Sequence, residues 1–213
     1  MAEQIDELPL FPLPDLVLFP GGSLPLHIFE HRYRQMVNSV LDGDAKFGVL
    51  NIDRSRGSVS DVGCCAEILE VQRLPDGRMN ILTEGRQRFR VLDMIQEKPY
   101  LVGKVELIED EPTENDLDPL AADMEQILRD VVRLSAKLAD KDVEFPNDLP
   151  TGPENLSFWV AGSFPGLPSL QQSLLEMRDT GARLKKEAEI LTSARQQLAA
   201  RAALKDAFSE GTD

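Results

Sequence analysis

The sequence predicts an α+β chain, in which a closed or nearly closed small β-barrel carrying one or two helices is followed by a helical bundle with a long last helix. Three observations carry this. Through the first half, short β-rich runs recur between Gly and Pro punctuation. After the acidic stretch at 109–116 the apolar spacing changes to the period of helices. From about 179 to 208 that period runs on, with Leu184, Ala188, Leu191, Leu198 and Ala202 along one face.

Taken in order, residues 16–19, 47–50 and 68–71 read as strands. Leu26 and Ile28 alternate with His27 and Phe29, as in a strand that ends near Glu30. A helix over 30–41 places Tyr33, Met36, Val37 and Val40 on one side. Leu74-Pro75-Asp76-Gly77 is a turn, because proline presets one central dihedral and glycine accepts a positive φ. It joins 68–73 to 78–82 as a hairpin. Residues 86–91 alternate again, with Phe89 and Val91 opposed to Arg86, Arg88 and Arg90; in 101–108, Val105 and Leu107 oppose Lys104 and Glu106.

In the second half, Asp118 and Pro119, as a cap and a first-turn proline, open a helix lined by Leu120, Met124, Ile127, Leu128, Val131 and Leu138. A polar, Pro-rich stretch follows at 142–153, then short helices over 154–163 and 168–176. The expected organisation is a β-rich subdomain over 1–110, an acidic linker over 111–118, a helical subdomain over 119–208 and a disordered tail over 209–213.

Composition narrows the function classes. The 213 residues carry a formal net charge of −14, with acidic side chains in excess in both halves, which disfavours nucleic acid as a partner. No apolar run has the length of a membrane span, and the acidic N-terminus has neither a secretory nor a transit-peptide pattern, so the expected location is cytoplasmic. The adjacent Cys64 and Cys65 read as small buried residues opening a strand, since no further Cys or His partners follow at metal or redox spacing.

Four motifs bear on chemistry. His27-Ile28-Phe29-Glu30-His31 has the H-x-x-E-H spacing of inverted zinc peptidases. Ligands four apart converge only on one helical face, and here Pro25 and the alternation around Ile28 place His27 on a strand, outside the helix that His31 enters. No metal site is expected. There is no G-x-x-x-x-G-K-[ST] phosphate loop and no G-x-S-x-G elbow, so neither P-loop ATP hydrolysis nor a nucleophile-elbow hydrolase is expected. The stripe Arg86, Arg88 and Arg90 is either a solvated strand face paired with carboxylates such as Glu70 or Glu84, or a docking spot for a partner's acidic or C-terminal carboxylate group. Phe158, Trp159 and Phe164 are either helical core or an apolar patch for client segments.

Several of these pieces together resemble the N-terminal substrate-binding domain of Lon proteases: Pro-Leu-Phe-Pro-Leu at 9–13, Phe19-Pro20-Gly21, Leu26 to Glu30, Leu74-Pro75-Asp76-Gly77, and Glu84-Gly85-Arg86 with Arg88-Phe89-Arg90-Val91. The likeness runs from about Leu8 to Ile108, and the helical remainder is similar to that domain's C-terminal bundle. It implies a barrel-like subdomain of the PUA type. In that family proline commonly stands where His31 is here, ahead of an Arg-Tyr pair like Arg32-Tyr33, which makes the HIFEH segment a strand-to-helix corner. Full Lon proteases add an ATPase module and a Ser-Lys peptidase module, for which a chain ending at Asp213 has no room, so the resemblance implies a stand-alone, non-enzymatic form. The expected function is recognition of polypeptide or protein clients, without a cofactor, as an adaptor that hands them to a separate protease. The residues expected to bind are Arg86, Arg88, Phe158 and Trp159. The alternative is RNA or nucleotide-ligand binding, since PUA-like barrels elsewhere bind RNA. A wide apolar stripe on the last helix also makes a homodimer an expected partner state.

Overall fold

The computed structural model describes residues 3–54, 57–97, 99–143, 145–146, 149–164 and 166–210. They form two compact units, Met1–Asp110 with Phe158–Arg178, and Glu111–Ser157 with Asp179–Asp213. The sequence divides the chain after 110 and keeps 119–208 together; in the structure 158–178 groups with the strands.

The first unit is built on strands β1 (Gln4–Pro14), β2 (Ser23–Ile28), β3 (Lys46–Asp53), β4 (Ser58–Val59), β5 (Val62–Arg73), β6 (Met79–Gln96) and β7 (Leu101–Ile108). They run in the order β1-β7-β6-β5-β3-β4, with β2 paired to β6. A parallel pairing of β1 with β3, from Leu10↔Gly48 to Pro14↔Ile52, closes five of them into a ring. Closure leaves each of the five with a neighbour on both sides along part of its length, as the barrel expectation requires.

Two expectations along these strands are corrected. Residues 16–19 form no strand, although Leu18 and Phe19 are buried. The strand lies just before them, in β1, despite Pro9, Pro12 and Pro14. β1 pairs with β7 from Gln4 to Leu10 and with β3 from Leu10 to Pro14. Each proline thus sits where β1 has one neighbour, leaving a side on which its missing N–H costs no ladder bond. The expected strands at 78–82 and 86–91 are parts of the single strand β6. The hairpin before it forms as expected, with Gly77 at φ 81° and the Gly77 N–H on the Leu74 carbonyl at 3.0 Å.

Two cores fill this unit. Helix α1 (His31–Leu41) sets Tyr33, Met36, Val37 and Val40 against Phe11, Ile28, Phe47, Met79 and Ile81. A second cluster joins Leu8, Leu10, Leu50, Cys65, Phe89 and Val105. Glycines make room for Phe89: a Cβ at Gly48 would lie 2.6 Å from its ring, and one at Gly63 would lie 2.8 Å from it and 2.2 Å from the Val49 carbonyl oxygen. Burial pushes the Cys65 thiol up to about 12 and the Cys64 thiol well above its ordinary range, so both stay protonated, as small buried residues should. Helix α4 (Pro168–Glu176) completes the unit; its buried Gln172 donates to the Val62 carbonyl at 3.1 Å.

The second unit pairs helix α2 (Asp118–Leu138) with α5 (Thr180–Glu210). Leu117, not Asp118, is the residue before the first turn of α2, and Asp116 Oδ1 accepts the Asp118 N–H at 3.0 Å; Pro119 sits in the first turn as expected. Asp179 Oδ1 accepts the Ala182 N–H at 2.8 Å and so caps α5. Met124 and Leu128 of α2 and Leu184, Leu191 and Ala202 of α5 are buried, while Arg195 reaches Asp130 at 3.3 Å. Ser209 and Glu210 continue α5; the rest of the expected tail, 211–213, lies outside the described residues. Helix α3 (Pro153–Gly162) starts in this unit and passes into the first at Phe158.

Beneath α5 lies a buried polar group of three. Arg183 Nε donates to Ser157 Oγ at 2.7 Å, and that hydroxyl donates to Glu187 Oε1 at 3.0 Å. Burial, more than the Ser157 hydrogen bond or the Arg183 charge opposes it, raises the Glu187 carboxyl from 4.5 to about 8.

Two predictions follow from this packing. Phe89→Ala should lower stability by about 3–5 kcal/mol, read by denaturant unfolding followed through the single tryptophan. For Glu187, the folded chain holds the proton more tightly than the unfolded one. Its stability contribution is therefore complete below about pH 4.5 and is lost as pH rises through about 8. Glu187→Gln keeps the acceptor for Ser157 but cannot ionise, so the variant should lose less stability between pH 5 and pH 9 than the parent chain; equal losses would contradict the assignment.

Candidate functional site

The arginine stripe is the natural starting point, and the structure separates its members. Phe89 points into the barrel, as the alternation predicts, and Arg88 points out of it. There it is 2% exposed. Its Nη1 donates to the carbonyls of Leu175 at 2.8 Å and Met177 at 2.7 Å, its Nη2 donates to Asp110 Oδ1, and its guanidinium lies 4.9 Å from the centroid of the Phe158 ring. Phe158 is itself buried, with the Phe19 ring 6.3 Å away. Arg88 and Phe158 are therefore brought together, but inside the unit, under the 158–178 segment. Neither offers a surface to a partner. Arg86 is half-buried and held by Glu67 at 2.6 Å and Glu84 at 3.1 Å, and Trp159 is half-buried. A carboxylate from outside would have to displace two already seated on Arg86.

Arg90 is exposed and lines an open groove of about 600 Å³ with Arg178, Glu3, Glu106 and Glu109. Two cations and three carboxylates line it, and Arg178 Nε donates to the Glu109 carbonyl at 3.1 Å, so the groove has no strong charge preference.

The two histidines stand as the sequence predicts, on either side of a strand-to-helix corner. His27 is in β2, its Nδ1–H on Asn80 Oδ1 at 2.7 Å, while His31 opens α1. Among the described residues no group of three or more His, Cys, Asp or Glu could hold a metal ion.

What the stripe lacks, the outer face of β2, β6 and β5 supplies. β2 and β5 flank the first part of β6, so that His27, Asn80 and Gln72 stand in one row and Pro25, Leu82 and Glu70 in the next. The first row is tied by His27 to Asn80 and by Asn80 Nδ2 donating to Gln72 Oε1 at 2.9 Å. Large apolar side chains stand out on the same two outer strands: Phe29, just past β2, is 61% exposed, and Leu69 of β5 is 49% exposed. Arg86 with Glu67 and Glu84 closes the far end. The result is a polar ladder with apolar side chains beside it and charge at one edge.

Phe29 was within reach of sequence reasoning, since it alternates with the buried Ile28. Leu69 was not: β5 shifts register between Ile68 and Glu70, and the extra residue is the one turned outward.

The family model of the ATP-dependent protease La (LON) substrate-binding domain matches residues 7–193. This chain belongs to that family. Over 199 residues it is 27% identical to Lon protease of Anaeromyxobacter dehalogenans (strain 2CP-C) and 28% identical to Lon protease 2 of Myxococcus xanthus. Each match covers 90% of this chain and 24% of the relative, so the chain spans about a quarter of the length of these curated Lon proteases. The crystal structure of a Lon N-terminal domain protein from Xanthomonas campestris is similar with a TM-score of 0.62 at 27% identity, covering 85% of this chain and 96% of that one. The N-terminal domain of Mycobacterium avium complex Lon protease, 20% identical, shares the fold at a TM-score of 0.61, with 90% and 98% covered. The family match thus takes in the strands and α5 as far as Ser193. No helix among the described residues is long and apolar enough to cross a membrane.

The two arginines of this family member that look alike in sequence should behave differently on substitution. Arg88→Ala removes the buried guanidinium that meets the Asp110 carboxylate and the Leu175 and Met177 carbonyls and should cost about 3–5 kcal/mol in denaturant unfolding. Arg86→Ala removes a half-exposed pair and should cost about 1 kcal/mol or less by the same measurement.

Proposed function

We propose that this chain is a non-catalytic module that recognises polypeptide and serves as an adaptor, passing clients to a separate protease. One observation carries the site: the outer face of β2, β6 and β5 leaves Phe29 and Leu69 in water beside a hydrogen-bonded polar ladder. Membership of a substrate-binding family supports the class of partner. A few large apolar side chains around polar groups suit segments that folded proteins hide, because their burial supplies affinity while the polar ladder orients the segment. Affinity for a mobile client should be modest, since ordering the client opposes it. With a net charge of −14, acidic clients should be the poorer ones.

The test is fluorescence anisotropy of a labelled, permanently unfolded polypeptide titrated with the protein at two salt concentrations. Saturable binding that persists at the higher salt is expected. Phe29→Ser with Leu69→Ser should weaken it about tenfold or more, with the circular dichroism spectrum unchanged. Binding that is unaffected by this pair would remove the face from consideration.

A further inference from the structure

The second half of β6 differs from the rest of the barrel wall. From Arg88 onward it pairs with β7, out to Gln96↔Val102. On its other side, β5 accompanies it only as far as Val62↔Arg90, and the Val91 N–H then donates to the Asp61 carbonyl at 2.8 Å. Beyond that point no strand among the described residues pairs with this edge. The ring is closed, yet one arm of it carries a free edge.

The side chains on that arm are unusual for an edge. Register shifts lie between Val91 and Asp93 and between Met94 and Gln96, so Leu92 and Ile95 are the extra residues of two bulges. They are 46% and 51% exposed, with Met94 at 39% between them. Edges that proteins protect carry charge, commonly lysine, in such places. Here the bulges turn apolar side chains to water along an edge that no second strand among the described residues pairs. Carboxylates flank the arm at Asp61 and Glu97, with Asp93 between Leu92 and Met94; all three are exposed, and Asp93 Oδ1 takes the Met94 N–H at 2.9 Å.

We propose that the free edge of β6 from Leu92 to Gln96 accepts an extended polypeptide segment as an added strand, apolar at its centre and basic at its ends. The backbone groups need a partner that offers N–H and C=O at strand spacing, which an extended peptide does. Leu92, Met94 and Ile95 select apolar side chains, and Asp61 and Glu97 select lysine or arginine on either side. This rests on the reading that the chain binds polypeptide, and it adds a second surface to the face containing Phe29 and Leu69.

The experiment uses the full chain and a synthetic peptide, Lys-Lys-Val-Thr-Val-Thr-Val-Lys-Lys, with two counterparts N-methylated at alternate backbone nitrogens. Binding is read by anisotropy, and the amides of the chain by hydrogen exchange. Strand addition predicts that methylation of one alternate set weakens binding about tenfold or more while the other set is tolerated, because only one side of the peptide faces the edge. It also predicts new protection confined to the amides from Leu92 to Gln96, and a similar loss of affinity in Ile95→Lys. Peptide binding that ignores both methylation patterns, or protection elsewhere, would overturn the added strand and leave polypeptide recognition standing. So would an unfolded polypeptide that binds when the peptide does not. Protection of these amides that rises with protein concentration alone would assign the edge to a second copy and overturn the proposed occupant. If neither the peptide nor the unfolded polypeptide binds, both readings fail.

Discussion

A single buried cation organises the first unit. Arg88 stands on the outer side of β6, where its side chain is withdrawn from water. Removing a guanidinium from water is expensive unless its donors are met, and here they are met by three oxygens from distant parts of the chain. Two are the carbonyls of Leu175 and Met177, at the end of α4, where a helix leaves its last carbonyls without partners of its own. The third belongs to Asp110, the last residue before the chain departs into the second unit. The same guanidinium thus holds the point of departure and the region of return. The Phe158 ring, below it, begins the returning segment. That is the physical reason a unit built from 1–110 also owns 158–178.

β6 is the element on which this depends, because it pairs with three other strands. Its first part lies between β2 and β5, and its second part lies against β7. A strand this long cannot stay regular while it twists around a small barrel, and the register shifts along its ladders with β5 and β7 take up the difference. The shifts have a second effect. Leu69, Leu92 and Ile95 are each the extra residue at a shift, and each is exposed. The irregularities that let the barrel close therefore also decide which apolar side chains meet the solvent.

The exposed apolar side chains of the barrel stand on its outer wall. Leu10, Leu50 and Phe89 occupy the inside of the ring, where Gly48 and Gly63 give up their side chains to the Phe89 ring. Two arginines of the stripe are committed, Arg88 to the interior and Arg86 to Glu67 and Glu84, while Arg90 is exposed in the groove with Glu3, Glu106 and Glu109. What the outer wall leaves in water is Phe29 and Leu69, beside the His27–Asn80–Gln72 ladder.

Much of this was determined by the sequence alone. The α+β class, the hairpin at Leu74-Pro75-Asp76-Gly77, helix α1 and the two long helices follow from turn chemistry and from apolar period, which act between near neighbours. The corner at His27 to His31 follows likewise, from Pro25 and the alternation around Ile28. Tertiary structure decided the rest. The strand at Gln4–Pro14 is allowed only because each of its prolines meets a neighbour on one side. The fate of Arg88 could not be read from its alternation with Phe89. Alternation says which way a side chain points, and what covers that face is settled by residues 22 and 87 positions further along, at Asp110 and Leu175. Local pattern sets direction; burial is set by the partner that long-range packing brings to it.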